Sequence, residues 1–345
     1  MLGPPPLPRN LEASFRDLDS ARAEVRASSI EDLVRHARGD DGIRTKALPL
    51  LAKRLKDDDA RVRACAAVGL GDLRAVERVD DLVAVVDDAD GHVRQMALNA
   101  LGEIADDRAL PRLRRALEDG RPEMRYQAII AFSRVAGDTP DIDQALLRAT
   151  NDGDDAVAHI ALRIAEERLD EGHRPEERLL ARARALVKKG PPSLVLCAAI
   201  LLAKAGDDEV HSLLLGVVKS GRVRGATAEK EDERAAVELM GELGIKEAVP
   251  ALERRAYGLG RHIKDTCPFH AKIALARMGH DRARREILRD LDASKPDVLA
   301  GAVVAAGRAR IREARPKIER LTKAAVDPVL VREALERLDE PKSET

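Results

Sequence analysis

Aromatic side chains are scarce in this 345-residue chain: Phe15, Phe132, Phe269, Tyr126 and Tyr257, and no tryptophan. A core must therefore be built from Ala, Leu, Val and Ile. That composition favours helices and argues against sandwiches, barrels and doubly wound sheets. No run of about 18 apolar residues occurs, so no bilayer-spanning helix and no membrane insertion are expected. The opening Met1–Pro8 has neither a basic nor an apolar region of the kind a signal peptide needs. Cysteines number three, Cys65, Cys197 and Cys267, too far apart for a disulfide framework or a CxxC pair. Small buried thiols in a reducing cytoplasm are the expectation, which makes the predicted location cytoplasmic. Neither sign of charge dominates: 60 Lys and Arg face 61 Asp and Glu, a net of −1. The molecule as a whole is then neither a binder nor a mimic of polyanions.

Catalytic motifs are lacking too. There is no GxxxxGK[ST], no GxSxG, no HExxH and no HxH cluster. The tightest grouping is His262, Asp265, Cys267 and His270, whose spacing matches no standard zinc site. It reads as a loop entering a helix, with Asp265 as cap and Pro268 in the first turn. The expectation is no enzyme, no catalytic residue, no metal and no cofactor.

What is present is repetition. Asp59-Ala-Arg-Val-Arg-Ala-Cys-Ala-Ala-Val-Gly-Leu-Gly-Asp-Leu73 aligns with Asp90-Gly-His-Val-Arg-Gln-Met-Ala-Leu-Asn-Ala-Leu-Gly-Glu-Ile104 and with Pro122-Glu-Met-Arg-Tyr-Gln-Ala-Ile-Ile-Ala-Phe-Ser-Arg-Val135. Anchors fall at Val25, Val62, Val93, Met124, Val157, Leu194, Asp232, Cys267 and Val298, with a looser copy near Leu330. Offsets of 0, 4, 8 and 11 or 12 from each anchor form one helical face. Ala at offset 4 and a small residue at offset 9 predict close approach of neighbouring helices. Between anchors lies a second amphipathic stretch, with Pro49, Pro111, Pro250 or Pro316 predicted in its first turn, where the missing N–H costs nothing. Asp-rich links such as Asp57-Asp-Asp59 offer N-caps. Each unit is thus predicted to be two antiparallel helices.

The stretch Asp88-Ala-Asp-Gly-His-Val-Arg-Gln-Met-Ala-Leu-Asn-Ala-Leu-Gly102 resembles the HEAT repeat family in its bacterial form. The resemblance is specific over 57–137 and looser elsewhere. It implies an all-α, right-handed solenoid of about nine stacked helix pairs, with the second helix of each pair on the concave face. Armadillo units need a third helix, for which 31-residue intervals leave no room, and the aromatic pattern of tetratricopeptide repeats is missing. One array over 11–340 is expected, between a flexible Pro-rich segment at 1–10 and a disordered tail at 341–345. Within the wider family, the chain lacks the His-Glu dipeptides of deoxyhypusine hydroxylase and the tryptophan of the DNA glycosylases. Its short units also look like those of phycobilisome-lyase-type proteins.

Three features suggest where a partner binds. Offsets 2 and 6 should face the concave side, yet they carry Tyr126 and Ile130, Leu196 and Ile200, and Phe269 and Ile273, a candidate binding strip. Two long loops, 221–230 and 258–264, carry Arg222, Arg224, Arg261 and Lys264, backed by Arg254 and Arg255, and suit anion or partner contact. Charge is also segregated: residues 76–107 carry a net of −7 and residues 254–289 a net of +7. The reading is a scaffold that binds a helix or extended segment of another protein. The alternatives are a nucleic-acid- or phosphate-binding protein using the basic 254–289 region, and a lyase-like protein that handles a cofactor.

Overall fold

A computed structural model describes residues 9–258, 267–321 and 326–339. Most of the expected flexible N-terminal segment and the expected C-terminal tail lie outside these residues. The described chain is an all-α solenoid with twenty helices, arranged as antiparallel pairs. It divides into two compact units, 1–182 and 183–345.

The N-terminal unit holds five pairs: α1 (Leu11–Asp17) with α2 (Ala23–Ala37), α3 (Asp41–Arg54) with α4 (Ala60–Asp72), α5 (Val79–Val85) with α6 (Gly91–Ile104), α7 (Leu110–Ala116) with α8 (Pro122–Ala136), and α9 (Pro140–Ala149) with α10 (Asp155–Asp170). Helix α11 (Glu177–Lys189) begins in this unit and ends in the next. The C-terminal unit continues with α12 (Pro192–Lys204), α13 (His211–Ser220), α14 (Lys230–Glu242), α15 (Val249–Tyr257), α16 (Pro268–Arg277), α17 (Asp281–Asp290), α18 (Pro296–Arg308), α19 (Arg315–Ile318) and α20 (Pro328–Asp339).

The repeat chemistry appears residue by residue. Asp59, Asp90 and Asp154 each cap a second helix by accepting from its first free N–H groups. Pro111, Pro250 and Pro316 stand in the first turn of their helices. Pro49 does not: α3 already begins at Asp41, so this proline lies inside the helix. The small residue at offset 9 sets the stacking distance. A Cβ on Gly71 would lie 2.9 Å from Ala100 Cα, and one on Gly102 would lie 2.9 Å from Ala131 Cα. The same approach recurs in the C-terminal unit, at Gly241 on Ala274 and Gly307 on Ala334. In the N-terminal unit the second helices α2, α4, α6, α8 and α10 pack successively on one another, and no two of its first helices pack as closely. A stack that is tighter on one side bends toward that side, so the second helices form the concave face of this unit.

The links between repeats are held by arginine. Arg26 donates from Nε and Nη2 to both carboxylate oxygens of Asp57 (2.9 and 2.6 Å). Arg63 does the same to Asp88 and Arg125 to Asp152. Each of these arginines also donates to carbonyls of the link before its own helix. Each of these aspartates in turn accepts the N–H two residues on. Such bidentate pairs are stronger than neutral hydrogen bonds and fix geometry as well.

Candidate functional site

The six residues of the predicted strip divide into two groups. Tyr126 and Ile130 lie on α8 of the N-terminal unit and are half-buried on its concave face. Leu196, Ile200 and Ile273 are a correction. They are fully buried, with exposures of 2%, 0% and 2%. The ten consecutive residues Leu194–Ala203 of α12 are all buried. A helix covered all round has no outward face for an offset to select. Phe269 is exposed at 40%, with its ring edge-on to His270, but its i+4 neighbour Ile273 does not extend the patch.

Of the two basic loops, the described residues cover 221–230 and only the first residue of 258–264. Residues 222–223 and 226–227 form a two-stranded hairpin, paired Arg222 to Thr227 and Val223 to Ala226. Its turn residues Arg224 and Gly225 both have positive φ, 47° and 83°, as a tight hairpin turn of this hand requires. The Arg224 guanidinium donates to the carbonyls of Val187, Lys188 and Gly190 at 2.5–2.6 Å, closing the C-terminal end of α11. Arg222 donates to Gly225 O within the hairpin. Arg255 is almost buried; it donates to the carbonyls of Val217 and Val218 and pairs with Glu233 at 2.7 Å. Arg255 is therefore an internal brace, while Arg224 stays exposed as it holds the hairpin against the end of α11. Arg254 is exposed. Arg261 and Lys264 lie outside the described residues, as do His262 and Asp265.

Much of the segregated charge is ion-paired, within helices as well as across repeats. Within 254–289, Arg255, Lys272, Arg277, Arg282, Arg284 and Arg289 are ion-paired with Glu233, Glu286, Glu242, Glu286, Glu313 and Asp290 respectively. The acidic 76–107 region meets Arg44, Arg63, Arg112 and Arg134 in the same way. Local net charge in the sequence thus overstates the field at the surface.

The second-helix faces of the two units differ in chemistry. In the C-terminal unit the face is cross-linked by charge. His270 Nδ1 is 2.5 Å from Glu238 Oε1, and Arg308 donates to the same oxygen at 3.0 Å. Arg277 pairs with Glu242 at 3.0 Å. Burial pushes the Glu238 carboxyl up, but His270 and Arg308 outweigh it and hold it below the ordinary value. In the N-terminal unit the centre of the face is uncharged on α4, α6 and α8. Cys65 and Val68, then Gln95, Met96 and Asn99, then Tyr126, Gln127 and Ile130 are all half-buried. At one edge the charges are already paired, Arg38 with Asp72 at 2.7 Å and Arg134 with Glu103. Between α2 and α4 the face deepens into a cleft of about 390 Å³, within the range of small ligand sites. Ile30, Val34, Ala64, Cys65, Val68 and Gly69 contribute its apolar part. Gly69 keeps it open: a Cβ there would lie 2.8 Å from Val34 Cγ2. Burial pushes the Cys65 thiol up, which lowers its reactivity at the cleft wall.

The carboxamides Gln95, Asn99 and Gln127 were not singled out in the sequence. The available signal was rarity. The chain has only six Asn and Gln residues, Asn10, Gln95, Asn99, Gln127, Gln144 and Asn151. Three of them fall on adjacent second helices at outward offsets.

Comparison with known proteins agrees with this architecture. The sequence profile of the HEAT repeats matches residues 15–95 and 79–166. Among solved structures, YibA of Escherichia coli aligns with a TM-score of 0.53 at 18% identity, over 79% of this chain and 93% of its own. At that identity the likeness is one of fold. The complex of CpcE and CpcF of phycocyanin lyase from a Nostoc species aligns with a TM-score of 0.35 at 18% identity, over 88% and 95% of the two chains. A designed armadillo repeat protein gives 0.37 at 20% identity, over 57% and 100%. No curated protein matches the chain. No helix among the described residues is long and apolar enough to cross a membrane.

Proposed function

We propose that this chain, whose residues 15–166 match the HEAT repeat profile, is a non-enzymatic scaffold that binds a segment of another protein. The binding surface is the concave face of its N-terminal unit. The observation that carries the reading is the uncharged, half-buried strip formed by Cys65 and Val68, Met96, and Tyr126 and Ile130 on three successive second helices. A contiguous partly apolar strip on a preformed surface supports docking without much reorganisation of the scaffold. Display of a surface, not chemistry, is the mechanism. The ion pairs of the 254–289 region count against the phosphate-binding alternative, because six of its eight described cations already have a carboxylate partner.

The test is site-specific photocrosslinking. A photoreactive side chain at Tyr126 is expected to capture a protein partner from cells that express the chain. The same group on the first-helix side, at Arg115, is expected to capture none. Capture only at Arg115, or at neither position, overturns the reading.

A further inference from the structure

We infer that the junction between α6 and α8 carries a two-position rung. Asp119 is bonded to Arg121 in the structure and to Arg94 in a second state. That exchange makes this junction the adjustable joint of the N-terminal unit.

Arg26, Arg63 and Arg125 each use Nε and Nη2 to hold an aspartate of the following link, and Nη1 to hold a carbonyl of their own link. Arg94 stands at the same place on α6, and its Nη1 makes the same kind of bond, to the carbonyls of Asp88 and Ala89. Its Nε is shut from water with no hydrogen-bond partner, and no carboxylate pairs with it among the described residues. The edge that holds a carboxylate in three repeats is empty in this one. Buried polar groups are normally hydrogen-bonded, so the vacancy needs a cause. The expected acceptor is in place. Like Asp57 and Asp88, Asp119 accepts the N–H two residues on at Oδ1, and its carbonyl accepts Nη1 of the next linking arginine. Arg121 is the chief cause holding the Asp119 carboxyl down, and the charge of Arg94 adds to it.

Two departures in the sequence open this rung. The links Asp57-Asp-Asp59, Asp88-Ala-Asp90 and Asp152-Gly-Asp154 end in an aspartate that caps the next helix. Asp119-Gly-Arg121 ends in arginine instead, and α8 has no side-chain cap. Arg121 turns back and takes both Asp119 oxygens at 2.8 Å. Three residues before the linking arginine, Ala23, Ala60 and Pro122 carry a side chain, but α6 has Gly91. A Cβ there would lie 3.2 Å from Arg94 Nη2, so the guanidinium rests over the space that glycine leaves. The two positions oppose comparable costs. The present one leaves a buried donor of a charged group unpaired. The other completes the fork of Arg94 and returns to water an Arg121 side chain that is already 44% exposed. Anything that takes Arg121 therefore shifts the equilibrium towards Arg94. The joint links α6, which carries Met96, to α8, which carries Tyr126 and Ile130. The rung thus governs how firmly those parts of the concave face are held together.

The test is a double-mutant cycle in the full chain, read by urea denaturation. Arg121→Ala removes the competitor. In that background Arg94→Ala should lower the folding equilibrium constant about tenfold more than it does in the parent protein, because the bond to Asp119 is then formed and lost with it. Arg121→Asp, which rebuilds the Asp-x-Asp link of the other repeats, should couple to Arg94→Ala in the same way. The coupling should vanish when Asp119→Ala is present throughout the cycle. A crystal structure of Arg121→Ala is expected to show Asp119 on Nε and Nη2 of Arg94. Three results overturn the proposal: an Arg94→Ala loss that is the same with and without Arg121, a coupling that survives Asp119→Ala, or an Arg121→Ala structure in which Asp119 leaves Arg94 empty.

Discussion

Arg63 grips Asp88 across a repeat boundary with two parallel hydrogen bonds of 2.8 Å, and its remaining Nη1 donates to the carbonyls of Asp57 and Asp58. One side chain therefore ties its own link to the next. With exposures of 16% and 12%, the pair is largely withdrawn from water. Arg63→Ala or Asp88→Ala should each cost about 2–3 kcal/mol, since each leaves charged groups short of partners. The double variant should cost less than the sum. Arg63→Lys should not restore stability, because an ammonium cannot reproduce the fork. Arg94 offers an internal control. It donates to the carbonyls of Asp88 and Ala89 but makes no ion pair among the described residues. Its alanine variant should cost less, as read from urea denaturation. Equal losses at 63 and 94 would remove the carboxylate from the argument.

The same pairs set the acid limit of stability. Burial alone would raise the Asp57 carboxyl, but Arg26 and the Asp59 N–H hold it at about 2. Arg121 holds Asp119 at about 2. Asp88 is lowered chiefly by its bond to Arg63 and Asp152 chiefly by its bond to Arg125. In the unfolded chain these carboxyls titrate at about 3.9. Between the two values the unfolded chain binds more protons, so stability rises with pH there. The contribution is complete above about pH 5 and is lost as pH falls from about 4 towards 2. Melting temperature across that window should drop steeply in the parent protein and less steeply in Asp57→Asn. Parallel curves would show that the ladder does not govern acid unfolding.

Backbone geometry gives a pair of opposite expectations. Gly71→Val must push α4 and α6 apart, because the new Cβ would lie 2.9 Å from Ala100 Cα. A loss of about 1–3 kcal/mol is expected, as for overpacking elsewhere. Gly120→Val, with nothing within 4 Å of its Cβ, should change little. Ala105 ends α6 at φ 56° and ψ 47°, a left-handed cap that suits glycine. Ala105→Gly should therefore raise stability, by up to about 1 kcal/mol. Differential scanning calorimetry of the three variants orders them, and a stabilised Gly71→Val would contradict the close-packed interface.

Burial also separates the residues of the predicted strip. Leu196→Ala should cost about 2–5 kcal/mol as a core truncation. Phe269→Ala, at an exposed position, should cost about 1 kcal/mol or less. A thermal melt of each variant checks this, and similar losses would contradict the different surroundings of the two side chains.

The repeat was legible in the sequence because its rule is local. An anchor, an Ala four residues on and a small residue nine on describe one helix and its nearest contact, and Gly71 and Gly102 stand where that rule puts them. The links were half legible. Asp59 and Asp90 could be read as caps, whereas Asp57 and Asp88 act through arginines in neighbouring repeats, 31 and 25 residues away. Exposure on α12 was not legible. Its apolar residues run without a period, and an offset cannot tell an outward face from a covered one. The roles of Arg224 and Arg255 were hidden for a different reason. Both saturate backbone carbonyls at helix ends, and a carbonyl leaves no mark on the sequence.

The arginine ladder also decides where the chain can be cut and rejoined. A repeat excised at its helix boundaries, from Asp41 to Asp72 for example, would carry Asp57 without Arg26 and Arg63 without Asp88. The transferable module is not the helix pair. It runs from one Asp-rich link through to the next, overlapping its neighbours at both ends. Shuffled or lengthened versions of this solenoid should keep that overlap, so that each new junction brings a guanidinium from one side and a carboxylate from the other.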